Sequence, residues 1–259
     1  MTEIAPPVAR LLDFRDRVVL VTGASGGIGA GVARRFGEAG AAVVVHYRSD
    51  RAGAERVVAG IGARALAVHA DLTVDAELEA MVDAAMARFG RIDALVNNAA
   101  RQTHAPLLEM PTAEFDAMMA TNLGGAFRCT QAVARRMRAQ GGGAIVNIAS
   151  ISGLEPAFTH AHYCTSKAGL LMFTRAAALE LGPLGIRVNA VAPGLIWREG
   201  LDQAWPEGVA RWLAHAPLGR VGRDDDVADA CLFLCSPAAR FVTGAVLTVD
   251  GGVTAHPSY

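Results

Sequence analysis

A stretch of twelve residues near the start of the chain, VVLVTGASGGIG from Val18 to Gly29, decides the fold. Its apolar beginning predicts a short buried strand, and the glycines that follow predict a tight turn into a helix. Such a turn lets the main chain approach a pyrophosphate while the helix N-terminus offers N–H donors. The spacing of Gly23, Gly27 and Gly29 therefore predicts a dinucleotide site at the first strand of an α/β fold.

Short apolar runs alternate with helical stretches along the remaining chain, which is the pattern of βαβ units around a parallel sheet. The predicted strands are Val18–Thr22, Ala42–His46, Ala65–His69, Ala94–Asn97, Ala144–Ile148, Arg187–Ala192 and Val246–Val249. Predicted helices include Glu77–Phe89 and a long one from Pro111 to about Ala139. We predict a tail over residues 1–13 and one doubly wound, Rossmann-type α/β domain over residues 14–259, with about seven parallel strands.

Composition narrows the class of protein. The 259 residues are 52% hydrophobic and 19% charged, which describes a chain able to bury a sizeable core. The net charge of −1 comes from intermixed basic and acidic residues, so a small-molecule partner is expected rather than nucleic acid or an anionic membrane. No apolar run is long enough to span a bilayer, and no apolar leader follows Met1, so we expect a cytoplasmic protein.

The four cysteines are too few and too scattered for a disulfide framework. Cys231 and Cys235 would share one helix face, but the apolar residues between them favour a place in the core. No His or acidic residue is spaced to complete a zinc site with them, so no metal is expected.

Ligands of such sheets bind beyond the carboxyl ends of the strands. After the second strand, a carboxylate would accept the ribose 2′-OH of NAD, whereas a basic side chain would receive the 2′-phosphate of NADP. Tyr47 occupies the expected acidic position and is followed by Arg48 and Ser49, which favours NADP(H). Asp71, after the third strand, is a candidate either for a bond to the adenine amino group or for a helix cap.

Tyr163 and Lys167 lie four residues apart at the start of a helical stretch, which places the phenol and the ammonium on one face. A nearby cation stabilises phenolate and lowers the phenol pKa from its usual value near ~10. The pair therefore predicts Tyr163 as a proton-transfer residue. Ser150 ends the fifth strand, and Asn122 lies in the long helix before it.

These motifs together resemble the classical short-chain dehydrogenase/reductase family over nearly the whole chain, including 3-ketoacyl-carrier-protein reductases. The resemblance implies that Tyr163 is the general acid in reduction and that Lys167 holds the nicotinamide ribose and depresses the Tyr163 pKa. It implies that Ser150 bonds the substrate oxygen and that Asn122 anchors a water of a proton relay. The cofactor contacts it implies are Gly23, Ser25, Gly27, Ile28, Gly29, Arg48, Ser49, Asp71, Leu72, Asn98, Tyr163, Lys167, Pro193, Gly194 and Ile196.

The sequence departs from the family pattern at three places. Ala100 stands where the family commonly has glycine, and Arg198 where it often has threonine. Arg198 is left with two assignments, a phosphate contact or a place in the substrate site. The glycine turn also lacks the arginine that many NADP(H) members carry there, since Gly26 and Gly27 fill that stretch.

The predicted function is hydride transfer between NADP(H) and a ketone or secondary alcohol, by an enzyme of the carbonyl or 3-ketoacyl reductase type. Residues 46–49 also resemble pteridine reductases, although these commonly have aspartate at the Ser150 position. A non-catalytic NADP(H)-binding regulator is a further alternative, against which the intact Ser150, Tyr163 and Lys167 argue.

The segment of about residues 195–215 is the predicted substrate lid. It contains Trp197, Trp205 and Trp212, which favour an apolar or ring-bearing substrate, with a core or oligomer contact as the rival interpretation. Three nearby histidines are expected in surface loops without a catalytic role; these are His104, His160 and His162. The resemblance implies a homo-oligomer, usually a tetramer and otherwise a dimer.

Overall fold

A computed structural model of the protein describes residues 6–255. Residues 1–5 of the expected tail and residues 256–259 of the expected domain lie outside this range. The described chain builds a seven-stranded parallel sheet covered by helices on both faces. The α/β Rossmann-type fold predicted from the sequence is thereby confirmed.

The strands are β1 Val18–Val21, β2 Ala42–Tyr47, β3 Ala65–His69, β4 Ala94–Asn97, β5 Gly143–Ile148, β6 Ile186–Pro193 and β7 Val246–Val249. The α-helices are α1 Gly27–Glu38, α2 Arg51–Ile61, α3 Asp75–Phe89, α4 Thr112–Met119, α5 Gly125–Gln140, α6 Ala161–Leu181, α7 Leu201–Ala204, α8 Pro206–His215 and α9 Asp224–Cys235. The strand order is β3-β2-β1-β4-β5-β6-β7. It reverses between β1 and β4, where doubly wound folds bind their ligands.

Both faces of the sheet are apolar because helices cover both. Along β1, Val19 and Val21 pack into the core formed with α1, α2 and α9. Val18 and Leu20 point the other way, into the core formed with α3, α5 and α6. This double burial explains why the strands read as continuous apolar runs rather than as alternating patterns.

The predicted long helix is interrupted, and that prediction was wrong in this respect. A π-helical turn, Ala120–Gly124, separates α4 from α5 and contains Asn122. The Asn122 amide bonds both main-chain polar groups of Arg101, at 2.8 Å to its nitrogen and 3.0 Å to its oxygen. An inserted turn that aims one side chain at a loop is typical of π-bulges near functional sites.

The structure also describes the cysteines, possible metal ligands and possible membrane-spanning helices. Cys231 and Cys235 lie in the core as predicted, and burial raises the pKa of the Cys235 thiol to about 12. Among residues 6–255, no group of three or more His, Cys, Asp or Glu side chains is placed to hold a metal ion. Within the same range, no helix combines the length and apolarity needed to cross a membrane.

Candidate active site at the carboxyl ends of the strands

The turn after β1 requires glycine at defined positions. Gly23 and Gly27 have φ angles of 62° and 53°, in the left-handed region that favours glycine. A Cβ atom on Gly29 would lie 2.3 Å from the Gly23 carbonyl oxygen and 2.4 Å from Asn98 Nδ2. Main-chain conformation therefore requires glycine at positions 23 and 27, and close packing requires it at position 29.

A buried histidine that sequence reasoning did not single out holds this turn. His46 Nδ1 accepts a hydrogen bond from the Gly23 N–H at 2.9 Å, so Nε2 carries the proton and donates to the Ala70 carbonyl at 2.9 Å. Burial lowers the pKa of His46, which keeps the ring neutral and able to accept. The only signal in the sequence was a polar residue inside an otherwise apolar strand.

Asn98 also braces the turn. Its Nδ2 donates to the carbonyl oxygens of Thr22 and Gly23, each at 3.0 Å. The Thr22 hydroxyl oxygen accepts from the main-chain N–H groups of Asn98 and Ala99, at 2.9 and 3.0 Å. The amide of Asn98, predicted to line the cofactor, is thus bound to the glycine turn itself.

The open face of this turn fits a dinucleotide. A Cβ atom on Gly26 or Gly27 would meet nothing within 4 Å, so free space lies directly over the start of α1. Gly26 is the N-cap of this helix and provides no side chain to cap the first N–H groups. Ser25 and Ile28 flank the same opening and are half-buried. These exposed donors and the helix dipole suit a pyrophosphate group.

At the end of β2, Arg48 and Ser49 are exposed beside the third strand end. The pKa of Asp71 is lowered, first by the bonds it accepts from Thr73 and to a lesser extent by the Arg48 charge. No ion pair within residues 6–255 includes Arg48. The Arg48 guanidinium is therefore available to a ligand.

Two predicted cofactor residues, Asp71 and Leu72, follow β3 and already make contacts within the protein. Asp71 Oδ1 accepts from the Thr73 main-chain N–H and hydroxyl, at 2.8 and 2.7 Å. The N-cap of α3 is Val74, so the alternative interpretation of Asp71 as its cap was wrong. Leu72 has its side chain buried in the core beside α5, so this side chain is not open to a ligand.

Tyr163 and Lys167 lie on the first two turns of α6, and both are buried. The Lys167 Nζ atom is 5.7 Å from the centre of the Tyr163 ring and donates to the Ile148 carbonyl at 2.7 Å. Burial lowers the pKa of Lys167 to about 8, which still leaves it protonated near neutral pH. The spacing of four therefore gives the predicted pairing.

The pKa of Tyr163 differs from the expectation. Burial raises it above the ordinary phenol value, and the Ser150 hydroxyl acts in the opposite direction. The expected depression of this pKa by Lys167 is wrong: Lys167 is not among the causes of the shift, and desolvation disfavours the charged phenolate. Ser150 lies two residues after β5, and its Oγ accepts from the Ser152 N–H at 3.0 Å, leaving the hydroxyl proton free to donate.

Asn122 is fully buried and its amide is engaged by protein groups. Besides Arg101, its Nδ2 is 3.1 Å from both the Ser166 hydroxyl and the Met118 sulfur. The side chain thereby ties the loop after β4 to α6. The predicted role of Asn122 in a proton relay stays a prediction, since the amide already serves as this tie.

The turn after β6 is packed against a tryptophan. A Cβ atom on Gly194 would lie 2.3 Å from Cη2 of Trp212 and 2.9 Å from Cβ of Asp250. Ile196, two residues after Gly194, pairs with Gly222 in an isolated parallel bridge. The Trp212 ring thus lies against the Pro193-Gly194 turn.

The expected lid segment, residues 195–215, forms α7 and α8 after this turn. Trp197 and Trp205 remain 46% and 49% exposed, so these two rings are the ones left open on the surface of the segment.

The three histidines near the site do not share one environment. His162 is fully buried, so its placement in a surface loop was wrong. Its Nε2 is 3.1 Å from the Thr103 hydroxyl, which donates a short hydrogen bond to Glu114. His104 and His160 lie nearer the surface and pack edge to face, with ring centres 4.2 Å apart.

One cavity of the protein lies away from this site. It measures about 630 Å³ and lies at the amino ends of the strands, with Arg17 and Arg187 in its lining. The candidate catalytic and cofactor-binding residues all lie at the opposite edge of the sheet, where the strands end. We therefore place the candidate active site at that edge.

Comparison with known proteins agrees with this geometry. Residues 23–254 match the family model described as enoyl-(acyl carrier protein) reductase. The L-rhamnose 1-dehydrogenase (NAD(P)(+)) of Azotobacter vinelandii is 45% identical, over 92% of this chain and 96% of that protein. A 3-oxoacyl-[acyl-carrier-protein] reductase of Staphylococcus aureus is 39% identical, over 90% of this chain and 96% of that protein.

Comparison with a solved structure shows the same similarity at the level of the fold. The 7α-hydroxysteroid dehydrogenase complexed with NADH and 7-oxo glycochenodeoxycholic acid superposes with a TM-score of 0.91. Its sequence is 37% identical, and the match covers 95% of this chain and 98% of that one. The chain belongs to the short-chain dehydrogenase/reductase family, as the sequence motifs predicted. It is an oxidoreductase of this family, whose members use a nicotinamide cofactor and act on alcohols or ketones.

Proposed function

We propose that the enzyme is NADP(H)-dependent and transfers a hydride between nicotinamide and a ketone or secondary alcohol, as a carbonyl or 3-ketoacyl reductase. The observation that carries this proposal is the grouping of Ser150, Tyr163 and Lys167 at the same edge of the sheet as the open glycine turn. In our proposal residues 14–259 act as one catalytic unit, and the cofactor contacts are those that the family resemblance implies.

The bound cofactor supplies or accepts the hydride, and the chain handles the proton. Tyr163 donates its hydroxyl proton to the substrate oxygen in reduction and takes it back in oxidation. Ser150 donates a hydrogen bond to the same oxygen. Lys167, cationic near neutral pH, favours the phenolate that remains when the proton has left.

Lys167 is also suited to hold the cofactor ribose. An ammonium group has three N–H donors, and within residues 6–255 its hydrogen bonding uses one of them, on the Ile148 carbonyl. The remaining donors are available to ribose hydroxyls. A water held near Asn122 would return protons to Lys167 in this proposal.

The preference for NADP(H) rests on Arg48. A guanidinium without a carboxylate partner, at the end of β2 where NAD-specific enzymes carry an acidic residue, suits a 2′-phosphate. We expect Arg48→Gln to weaken NADPH binding about tenfold and to leave NADH binding within about twofold, because one phosphate bond pair corresponds to ~1.4 kcal/mol or more. Arg51→Gln, which removes a nearby surface arginine paired with Glu55, is the matched control.

Fluorescence titration of both cofactors measures these affinities. Tighter NADH than NADPH binding by the unchanged protein would overturn the cofactor assignment. Reductase assays on ketones, ketoacyl thioesters and pterins then separate the carbonyl reductase from the pteridine-reductase alternative. Cofactor binding without turnover on any of them would favour the regulator.

The same proposal includes a substrate lid and a homo-oligomeric assembly. Residues 195–215 close over the substrate, with Trp197 and Trp205 as the rings that cover it. The enzyme assembles as a homo-oligomer, a tetramer or a dimer, which light scattering at two protein concentrations tests.

A further inference from the structure

The cavity of about 630 Å³ at the amino ends of the strands has a charged lining of its own. We call it the amino-edge cavity; its charged lining residues are Arg15, Asp16, Arg17, Arg91, Asp93, Arg187 and Arg240. Small-molecule pockets measure roughly 300–1,000 Å³, so this one has room for a ligand of metabolite size. Five arginines against two aspartates leave positive charge in excess around it.

Two of these arginines are paired with carboxylates. Arg91 donates to both oxygens of Asp93, at 2.6 and 2.9 Å. Arg15 donates to both oxygens of Asp13, at 2.9 and 2.6 Å. These partners raise the pKa values of the two guanidinium groups first, and Asp16 adds to the effect on both. The two aspartates of the lining therefore act on Arg15 and Arg91.

The other three arginines of the lining have no carboxylate partner in the part of the chain that the structure describes. They are Arg17, Arg187 and Arg240, and no ion pair of residues 6–255 includes any of them. Arg240 is exposed, and its guanidinium donates to the Pro237 carbonyl at 3.4 Å. Arg17 is half-buried. Three guanidinium charges at one cavity are thus open to an anion.

Arg187 is held in place by main-chain oxygens. Its guanidinium donates to the carbonyls of Leu234 at 2.7 Å and of Ser236 and Val242 at 3.3 Å. A helix C-terminus carries only about half a negative charge, so these bonds at the end of α9 leave Arg187 with net positive charge. Burial lowers the pKa of Arg187 first, and the Arg17 charge acts in the same direction. A bound anion would relieve this repulsion.

Arg17 and Arg187 reach the cavity from the same face of the sheet. The parallel register of β1, β4, β5 and β6 places Val19 and Arg187 in one row. Side chains in one row of a parallel sheet share a face, so Arg187 lies on the face of Val19, which is covered by α1, α2 and α9. The Arg17 guanidinium lies over the ring of Phe14, which belongs to the same core, at 5.6 Å from its centre. One ligand can therefore meet both groups.

We propose that the amino-edge cavity binds a small anion with two or more negative charges, a phosphate ester or a polycarboxylate, through Arg17, Arg187 and Arg240. Guanidinium groups bind phosphate and carboxylate oxygens through paired, charge-assisted N–H donors. An anion of this kind compensates the guanidinium charges of the cavity. The site lies at the opposite ends of the strands from Tyr163, so it is additional to the proposed reaction and does not depend on it.

Calorimetric titration with pyrophosphate and with citrate tests the site. Saturating NADPH is present to occupy the proposed cofactor site, and the ionic strength is held constant because salt screens exposed charges. We expect at least one of the two anions to bind with a Kd below about 1 mM, and acetate not to bind. The tighter ligand shows whether a phosphate or a polycarboxylate is the natural class. Binding of neither anion would overturn the site.

Single charge removals locate the binding. Arg17→Gln and Arg240→Gln should each weaken the affinity for the bound anion about tenfold, because each removes a charged hydrogen-bond donor. Arg56→Gln, an exposed arginine on α2, is the matched control and should leave the affinity unchanged. Unchanged affinity in both Arg17→Gln and Arg240→Gln would overturn the site. Loss of binding in Arg48→Gln would assign the anion to the cofactor site and would equally overturn it.

Thermal unfolding gives a second measurement that needs neither bound cofactor nor turnover. An anion that binds only the folded chain raises Tm by mass action. In the Arg48→Gln background, the anion that binds in calorimetry should raise Tm at about 10 mM, and the added Arg17→Gln change should remove most of that rise. The same rise with and without Arg17→Gln would contradict the site. A rise that depends on Arg17, in an enzyme that reduces no ketone, would support the site and count against the reductase.

Discussion

The proposed cofactor side and the proposed substrate side of the strand ends are built in opposite ways. The glycine turn is fixed by hydrogen bonds with the buried side chains of His46 and Thr22 and with the half-buried Asn98, which leave its main chain little freedom. On the substrate side, Phe158 is 98% exposed and Trp197 is 46% exposed. Exposed side chains rearrange easily, whereas buried hydrogen-bonded main chain does not. In the proposed function, this contrast corresponds to a rigid cofactor cradle beside an adaptable substrate mouth.

Removing the hydroxyl of Tyr163, the proposed proton-transfer residue, gives the largest expected effect. Tyr163→Phe should lower kcat about 10²–10⁴-fold, the usual contribution of a positioned acid or base, or ~3–5 kcal/mol in activation free energy. Cofactor affinity should stay within about twofold because the ring and Lys167 remain. Steady-state kinetics and fluorescence titration measure the two quantities, and a variant keeping a tenth of the activity would contradict the role of Tyr163.

Adding a methyl group at Gly29 tests how rigid the glycine turn is. Gly29→Ala places a Cβ atom 2.3 Å from the Gly23 carbonyl oxygen, so the turn must shift. We expect a loss of ~1–3 kcal/mol in the free energy of unfolding, typical of overpacking, together with weaker cofactor binding. Denaturant unfolding and cofactor titration measure both.

The matched control is Gly60→Ala on α2, where an added Cβ atom meets nothing within 4 Å. This change should stabilise the protein by ~0.4–1 kcal/mol, because alanine restricts the unfolded chain more than glycine does. If both variants unfolded with equal stability, the close contact at Gly29 would not be a constraint.

The smallest expected effect is on the pH dependence of stability. The folded-state pKa of His46 lies below its unfolded value of 6.5, so the unfolded chain binds the extra proton first. Its contribution is complete above pH 6.5 and is lost as pH falls below that value. The same sign holds for His162 and His104, whose pKa values are also lowered.

His46→Asn keeps an acceptor for the Gly23 N–H and removes the titrating group. The decrease in unfolding free energy between pH 7.5 and 5.5 should therefore be smaller in His46→Asn, by up to ~1 kcal/mol. Urea unfolding at the two pH values measures this, and His104→Asn, on the exposed side, is the comparison. An unchanged pH dependence in His46→Asn would show that His46 does not carry this linkage.

Much of the fold was predictable because its signals are local. Strands β3, β4 and β7 have the predicted bounds, and β6 extends one residue further at each end, from Ile186 to Pro193. Strand ends move because the last residues of a run are fixed by their neighbours in the sheet. The π turn at Asn122 was missed because it differs from the flanking helices in the spacing of its main-chain hydrogen bonds, which the sequence does not display directly.

The amino-acid sequence by itself determined the family, the α/β architecture and the pairing of Tyr163 with Lys167. These follow from glycine stereochemistry, short apolar runs and the four-residue spacing on a helix, all of which act over a few residues.

Only the tertiary structure decided that His46 holds the glycine turn, that His162 is buried behind the loop after β4, and that Trp212 packs against Gly194. Each of these depends on contacts between residues far apart in the chain, which arise when packed helices and strands bring their loops together at one edge of the sheet.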